Sequence, residues 1–346
     1  MDYSHHLIDH SETIRTALER INQLPILSLF AVNEGKLVGS ITDGDIRRAL
    51  VKGVTVDQSV AAVMNRNFSF LRKGKYSIDE ILAFKKRKLK LVPFLDESDA
   101  ILRLIDLEGN RSLLPIDAVI MAGGEGRRLR PMTNNIPKPL LRIANKPIID
   151  YNIDRLENYG VGNCYITVKY LGESIIDHVE SRAGREMSIK FIEESDLPLG
   201  TIGSVSLIEQ FEHDHVLVMN SDLLTNIDFE DFFIEFEKQN AAMSVATVPY
   251  HVTVPYAVLE TEADKILGFK EKPTYTYYSN AGIYLIRRDI LGRIPKGIPY
   301  NATDLMEDLI QSGHHVSTYP LYGYWLDIGK PEDFAKAQED VKHIKF

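Results

Sequence analysis

Apolar positions in the first third of the chain follow two alternating rhythms. Over residues 11–25, Ile14, Leu18 and Ile21 fall at helical spacing behind a serine and a threonine, which predicts a capped helix. Two continuous apolar runs follow, "ILSLFAV" and "LVGSI", separated by the turn "NEGK". The same order returns further on. "SIDEILAFKKRKLK" reads as a helix, and "LVPFL" and "ILRLIDL" as strands about the turn "DESDA", with a connecting helix expected around "VDQSVAAVMN". Helix, strand, turn, strand therefore occurs twice. Two such units are expected to bury their sheets against each other, because neither holds enough core alone.

From Asp117 the pattern changes. "AVIMAG", "NCYITV", "HVLVMNSD" and "AMSVATV" are buried-strand runs, and helical stretches such as "PIIDYNIDRLENYG" and "FEDFFIEFEKQN" separate them. Strands alternating with helices predict an α/β domain with a mostly parallel sheet and helices on both faces. "LEGNRSLLP" reads as a linker, so residues 1–115 and 116–346 are expected to form separate domains. Ligands of such sheets bind beyond the carboxyl ends of the strands. "MAGGEG" and "SDLL" both follow strands directly, so they should share one crevice.

The first of these opens "MAGGEGRRLRPMTNNIPKPLL", from Met121 to Leu141. Glycines after a strand let backbone N–H groups approach phosphate oxygens. Here they are Gly123, Gly124 and Gly126, behind Ala122, and their spacing fits neither the dinucleotide fingerprint nor a P-loop. Arg127, Arg128 and Arg130 add positive charge. "PKP" is expected to hold Lys138 in extended backbone that restricts its ammonium. A polyphosphate is the ligand this composition suits.

The stretch resembles the sugar-1-phosphate nucleotidyltransferases, with their G-G-x-G-x-R-L-x-P-x-T…P-K-P signature. That resemblance implies a Rossmann-like three-layer domain, from about Asp117 onward, in which Arg128 holds the triphosphate and Lys138 contacts the reacting phosphates. Further motifs follow in the family's order. "PLGTIGSV" resembles the base-binding loop and supplies Gly200, Thr201 and Gly203; Ile202 stands where alanine is common and is expected to narrow the pocket. "NSDLL" supplies Asp222 and "WLDIGKPEDF" supplies Asp327. By the same resemblance Tyr256, Ala257, Glu271, Lys272, Asn280 and Gly282 line the sugar pocket. Magnesium prefers carboxylate and phosphate oxygens, so Asp222 and Asp327 with the nucleotide make an adequate Mg2+ site.

The first repeat, ending in "LVGSITDGDIRRAL", resembles a CBS domain, and the two repeats together resemble an α+β CBS pair. Such pairs often bind adenine nucleotides. Thr42 and Asp45 match the ligand motif, whereas "LIDLEG" in the second repeat does not, so at most one standard site is expected; a packing or dimerisation role is the plainer expectation. "KKRKLK", Lys85 to Lys90, reads as a solvated helix end.

Composition narrows the partners. The 346 residues carry a net charge of -9, with 44% hydrophobic and 26% charged residues. No basic face for nucleic acid is expected, nor a membrane span. A single cysteine, Cys164, fits a reducing compartment, and the chain is expected to be cytoplasmic. The resemblance implies transfer of a nucleotidyl group from an NTP, GTP favoured, to a sugar 1-phosphate. Glucosamine 1-phosphate for nonulosonic acid or surface-glycan synthesis is the first expectation. Mannose or heptose phosphates, and CTP, UTP or dTTP, are the alternatives, as is a non-catalytic nucleotide sensor. A homo-oligomer is expected through the CBS pair.

Overall fold

A computed structural model describes residues 3–109, 112–184, 187–194 and 198–344. Asn110 and Arg111, within the expected linker, lie outside the described residues. The chain divides into two compact units, one formed by the chain up to Pro115 together with Asn158–Gly160 and the other by the rest.

In the first unit Leu7–Asp9, Ser28–Asn33 and Lys36–Thr42 form a sheet whose first pair is parallel and second antiparallel. Leu71–Arg72, Leu91–Leu95 and Ile101–Asp106 repeat that topology. In each repeat a short strand comes first, ahead of the expected helix, and the helix that follows it is capped. Thr13 accepts from the Thr16 N–H at 3.2 Å to start Ile14–Ile21. Ser77 and Glu80 form a reciprocal capping box for Ile78–Lys86. Phe30 and Leu37 share a core with Leu95, so the repeats do bury against each other.

The connecting helix does not form. Only a 3-10 turn, Val60–Ala62, is present. The Val60 N–H donates to the Glu12 carbonyl at 2.8 Å and the Asn65 N–H to the Ser40 carbonyl at 2.8 Å. These bonds to distant backbone hold the segment open, where a helix would need bonds within it.

Among the described residues the second unit is built on a seven-stranded sheet. Its order is Ser188–Glu193, Asn163–Val168, Ile116–Ala122, His215–Asn220, Thr274–Arg287, Met243–Thr253 and Val316–Pro320. The first four strands run parallel. Thr274–Arg287 is antiparallel to both neighbours, and the last pair is parallel again. The central strands are apolar on both faces because the sheet is covered, as parallel sheets are. Helices Ile148–Asn158 and Phe229–Gln239 occupy the expected stretches; the second buries Phe229, Phe232, Phe233 and Phe236. No helix among the described residues is long and apolar enough to cross a membrane.

The amino end of the central strand carries a buried charge. The Asp117 carboxylate accepts from the His213 N–H at 2.9 Å and from Asn163 Nδ2 at 3.0 Å, and lies 3.1 Å from His213 Nδ1. Burial alone would raise this carboxyl, but the bonds from His213 outweigh it and hold it below the usual range. A depressed acid stabilises the fold above its ordinary pKa, and that contribution is lost as pH falls through the depressed value. Asp117→Ala should therefore cost about 3 kcal/mol at neutral pH, the scale of a broken buried pair. Urea unfolding at pH 7 and near pH 3 measures it, and the difference between the two proteins should shrink at the lower pH.

Candidate active site

The four parallel strands end on one edge, and the loops that follow them build a cleft of about 300 Å³. Gly123 and Gly124 follow the central strand, and Asp222 follows His215–Asn220; both loops line the cleft, as expected. Gly200 and Thr201 lie opposite, and Lys138 points in between.

The glycine loop is shaped by Gly126. Its φ is +60°, and a Cβ there would meet Lys138 Cβ and Thr133 Cγ2, each at 3.1 Å. Only glycine allows both the left-handed turn and the approach of the lysine segment. Glu125 then sorts the three arginines. Its carboxylate pairs with Arg127 at 2.7 Å and Arg130 at 3.3 Å. Arg128 instead lies beside Gly329, where a Cβ would stand 3.2 Å from its guanidinium. Pro137 is extended, as expected, but Lys138 itself opens a 3-10 turn, Lys138–Leu140. Backbone restriction thus comes from a turn as well as from the prolines, and the residue is only 8% exposed.

A short ladder brings the two aspartates together. Leu223–Thr225 pairs antiparallel with Trp325–Asp327, with Leu223 opposite Asp327, and the Ile328 N–H donates to the Asp222 carbonyl at 3.1 Å. Leu224, Leu326 and Ile328 pack with Leu129 and Leu141 of the signature stretch, anchoring the ladder to the glycine loop. Lys138 Nζ is ion-paired with Asp222 Oδ2 and stands 3.8 Å from Asp327 Oδ1. Burial, then the neighbouring Asp222 carboxylate, raises the Asp327 carboxyl above its usual range against the opposing pull of Lys138 and Arg128.

Asp222 Oδ1 and Asp327 Oδ1 are both buried without a hydrogen-bond partner. Buried carboxylate oxygens left over in this way suit a hard, oxygen-seeking cation. No group of three or more His, Cys, Asp or Glu side chains among the described residues could hold a metal ion. Asp222 and Asp327 therefore fit an ion that takes its remaining ligands from phosphate and water.

The base-loop residues are positioned by the segment at Tyr300–Asn301. The Tyr300 carbonyl accepts from the Ile202 and Gly203 N–H groups at 3.1 and 3.0 Å, and Thr201 Oγ1 accepts from the Ala302 N–H at 3.0 Å. Neither Gly203, buried in the 3-10 turn Gly203–Leu207, nor Ala122, buried in the central strand, is among the residues that line the cleft. Ile202 does not narrow the pocket. It is fully buried in the core beside Val205 and Val119, because the loop turns its side chain inward.

None of the sugar-pocket candidates lines this cleft, although Gly282 adjoins Asn220 at its wall. Tyr256 is 76% exposed, and Ala257, Glu271 and Lys272 are exposed around a two-stranded hairpin. Asn280 bonds Tyr284 Oη and the Gly282 N–H. Gly282, at φ +71°, leaves room for Asn220, whose Nδ2 would stand 2.6 Å from a Cβ there.

Sequence reasoning missed Lys169, Glu194, Ser204 and Asn220, which also line the cleft. Lys169 and Glu194 each directly follow a parallel strand, the position that marked Gly123 and Asp222. Burial raises the Glu194 carboxyl, opposed by bonds from Ser204 and the Leu199 N–H.

The first unit holds a cleft of about 550 Å³ lined by Thr42, Asp45, Asn65 and Ser69, and by Arg87, Lys88 and Lys90. The basic run is therefore not simply a solvated helix end. Its helix stops at Lys86, and Lys88 adopts φ +58°, which turns the remaining residues along the cleft. Thr42 and Asp45 form a capping box for the helix Asp43–Val51: Thr42 Oγ1 donates to Asp45 Oδ2 at 2.6 Å.

Sequence comparison places these features in a family. The model described as "Nucleotidyl transferase" matches residues 117–344, and the chain belongs to that family; the CBS domain model matches residues 4–52. Among curated relatives, the chain is 35% identical over 231 residues to the bifunctional protein GlmU of Methanocaldococcus jannaschii, covering 65% of this chain and 54% of that protein. It is 31% identical over 228 residues to mannose-1-phosphate guanyltransferase beta-A of Xenopus laevis, covering 63% and 62%. The chain spans less than two thirds of the length of these relatives. Among solved structures, HddC from Yersinia pseudotuberculosis aligns with a TM-score of 0.52 and 27% identity, covering 65% of this chain and 99% of that one.

Proposed function

We propose that the protein transfers a nucleotidyl group from an NTP to a sugar 1-phosphate, releasing pyrophosphate and forming a nucleotide sugar. The observation that carries this reading is a cleft lined by a glycine loop, Lys138 and Asp222, with Asp327 beside Lys138 and both carboxylates holding an unpartnered buried oxygen. An anionic sugar-phosphate oxygen attacks the α-phosphorus, the bond to the β-phosphate breaks, and the leaving pyrophosphate carries away the electron pair. Little proton transfer is needed, so catalysis rests on alignment and charge stabilisation. The glycine loop accepts the phosphates, Lys138 follows the shifting negative charge, and Arg128 faces the departing pyrophosphate. Glu271, Lys272, Tyr256, Ala257, Asn280 and Gly282 are assigned to the sugar phosphate. Asp222 and Asp327 would hold magnesium, which supplies positive charge to the phosphoryl oxygens when bound.

GTP is the favoured donor. Its support is the guanyltransferase among the relatives and a structure of HddC from Yersinia pseudotuberculosis complexed with GMP-PN, at TM-score 0.50 and 27% identity. Glucosamine 1-phosphate is the favoured acceptor. The test is pyrophosphate release from GTP, UTP, CTP, dTTP and ATP, each against glucosamine, mannose, glucose and heptose 1-phosphates. Turnover with a pyrimidine nucleotide but not GTP removes the guanine assignment; no turnover in any pair removes the transferase reading.

The CBS cleft is assigned to an adenine nucleotide, and the pair to joining copies of the chain. Thr42 and Asp45 face Arg87, Lys88 and Lys90 across a space large enough for a nucleotide. AMP, ADP or ATP should shift the rate of the full-length enzyme several-fold, the scale of a coupling of about 1–3 kcal/mol. Rates unchanged by all three, with no binding by calorimetry, would leave the pair a packing module.

A further inference from the structure

Lys138 occupies an unusual place for a phosphate-binding lysine. In the nucleotide-free chain its ammonium pairs with Asp222 and stands 3.8 Å from Asp327, the two carboxylates that fit a metal ion. The lysine side chain is 10% exposed, against 21% for Asp222 and 40% for Asp327, so the most enclosed member of the cluster is the cation. The same side chain lines the cleft with Gly123 and Gly124. Its ammonium therefore stands between two sets of anions, the aspartates and any phosphate seated on the glycine loop.

We propose that Lys138 is the resident counter-ion of the metal position, and that nucleotide and divalent cation enter as a coupled pair. The ammonium holds Asp222 Oδ2 and faces Asp327 Oδ1, so a divalent cation on the unpartnered Oδ1 oxygens would stand close beside it, where like charges repel strongly even at an effective dielectric constant of about 20. In the free enzyme the ammonium neutralises one of the two carboxylate charges, so a metal ion alone meets an occupied site. Phosphates on the glycine loop draw the ammonium off the aspartates, which restores their full negative charge and removes the repulsion that an ion would meet. This deepens the proposed reaction and rests on its assignment of Asp222 and Asp327 as metal ligands. Its consequence is an order of events: the nucleotide prepares the metal site, and loss of pyrophosphate returns Lys138 to the aspartates and lowers the ion's affinity.

The experiment is a titration of the nucleotide-free, full-length protein with Mn2+, read by electron paramagnetic resonance, which requires no turnover. Wild type should bind Mn2+ weakly. Lys138→Met and Lys138→Gln, which remove the charge, should each bind it at least ~10-fold more tightly, within the usual span of site-to-site couplings. Lys138→Arg, which keeps the charge, should stay close to wild type. In thermal melts, Mn2+ should raise the melting temperature of the uncharged variants more than that of wild type. Because the Met and Gln variants are tested in parallel, and Lys138→Arg against both, one variant that does not fold leaves the comparison intact. Equal or weaker Mn2+ binding in the uncharged variants overturns the proposal. Asp222→Asn and Asp327→Asn separate the two assignments. If they abolish Mn2+ binding while Lys138→Met leaves it unchanged, the metal site stands and the counter-ion role falls. If they leave Mn2+ binding unchanged, the metal assignment falls and the counter-ion role falls with it.

Discussion

Asp222→Asn and Asp327→Asn are each expected to reduce turnover at least ~100-fold while leaving the circular dichroism spectrum unchanged. A hundredfold loss corresponds to about 2.7 kcal/mol of transition-state stabilisation. That is a modest demand on one ion–carboxylate contact at the proposed site, to which Asp222 and Asp327 are the carboxylates assigned. Asparagine keeps the shape of the side chain, and neither residue belongs to the apolar core. Asp222 directly precedes, and Asp327 ends, the strands of the short ladder Leu223–Thr225 with Trp325–Asp327, whose stability comes from Leu224, Leu326 and Ile328 packed on Leu129 and Leu141. Pyrophosphate release under saturating magnesium measures the rate. The Michaelis constant for the nucleotide should change less than kcat, since the ion matters most as charge shifts toward the leaving group. Near-normal turnover in either variant would remove that residue from the proposed metal site.

The sequence showed the strands of the second unit and the loops at their ends because that information is local. "AVIMAG" and "NCYITV" are apolar over lengths that only a covered strand explains, and a strand's end needs no knowledge of its neighbours. For the same reason Gly123, Gly124 and Asp222 could be expected in one crevice. Four things depended on distant partners and could not be read. The segment around Val60 has helical composition, yet bonds to Glu12 and Ser40 hold it in a turn. Ile202 sits in a motif that suggests the pocket, but Tyr300 turns the loop so that the side chain enters the core. The basic run after Phe84 looked like a solvated helix end, since nothing local announces that Lys88 leaves the helix toward a cleft built with the other repeat. The pairing of Lys138 with both aspartates is likewise invisible in the sequence, although each residue was named from its motif. Glu194 and Lys169 are different: the strand-end rule would have found them had it been applied to every strand.

Two glycine substitutions should separate shape from ligand contact. Gly200 has φ +75°, and an added Cβ would stand 2.7 Å from the Tyr300 carbonyl oxygen and 2.9 Å from Asn301 Oδ1. The left-handed conformation alone costs a non-glycine residue about 1–2 kcal/mol. The clash adds to this because its partners are fixed: the Tyr300 carbonyl holds Ile202 and Gly203, and the Tyr300 N–H donates to the Leu199 carbonyl at 2.9 Å. Gly200→Ala should therefore destabilise by about 2–3 kcal/mol, lowering the melting temperature by roughly 5–10 °C for a domain of this size. Leu199 and Thr201 line the cleft, so their displacement should also raise the nucleotide's Michaelis constant. Gly124 lines the same cleft but carries no such constraint: a Cβ there meets nothing within 4 Å. Gly124→Ala should melt within about 1 °C of wild type, as surface substitutions without strain do. Yet phosphates approaching the loop's N–H groups would meet the new methyl, so nucleotide affinity should fall with stability intact. Thermal melts and nucleotide titrations on both variants measure the contrast. A Gly124→Ala protein that binds nucleotide like wild type would mean that phosphates do not lie against this loop. A Gly200→Ala protein as stable as wild type would mean that the Tyr300 staple yields freely and does not fix the loop.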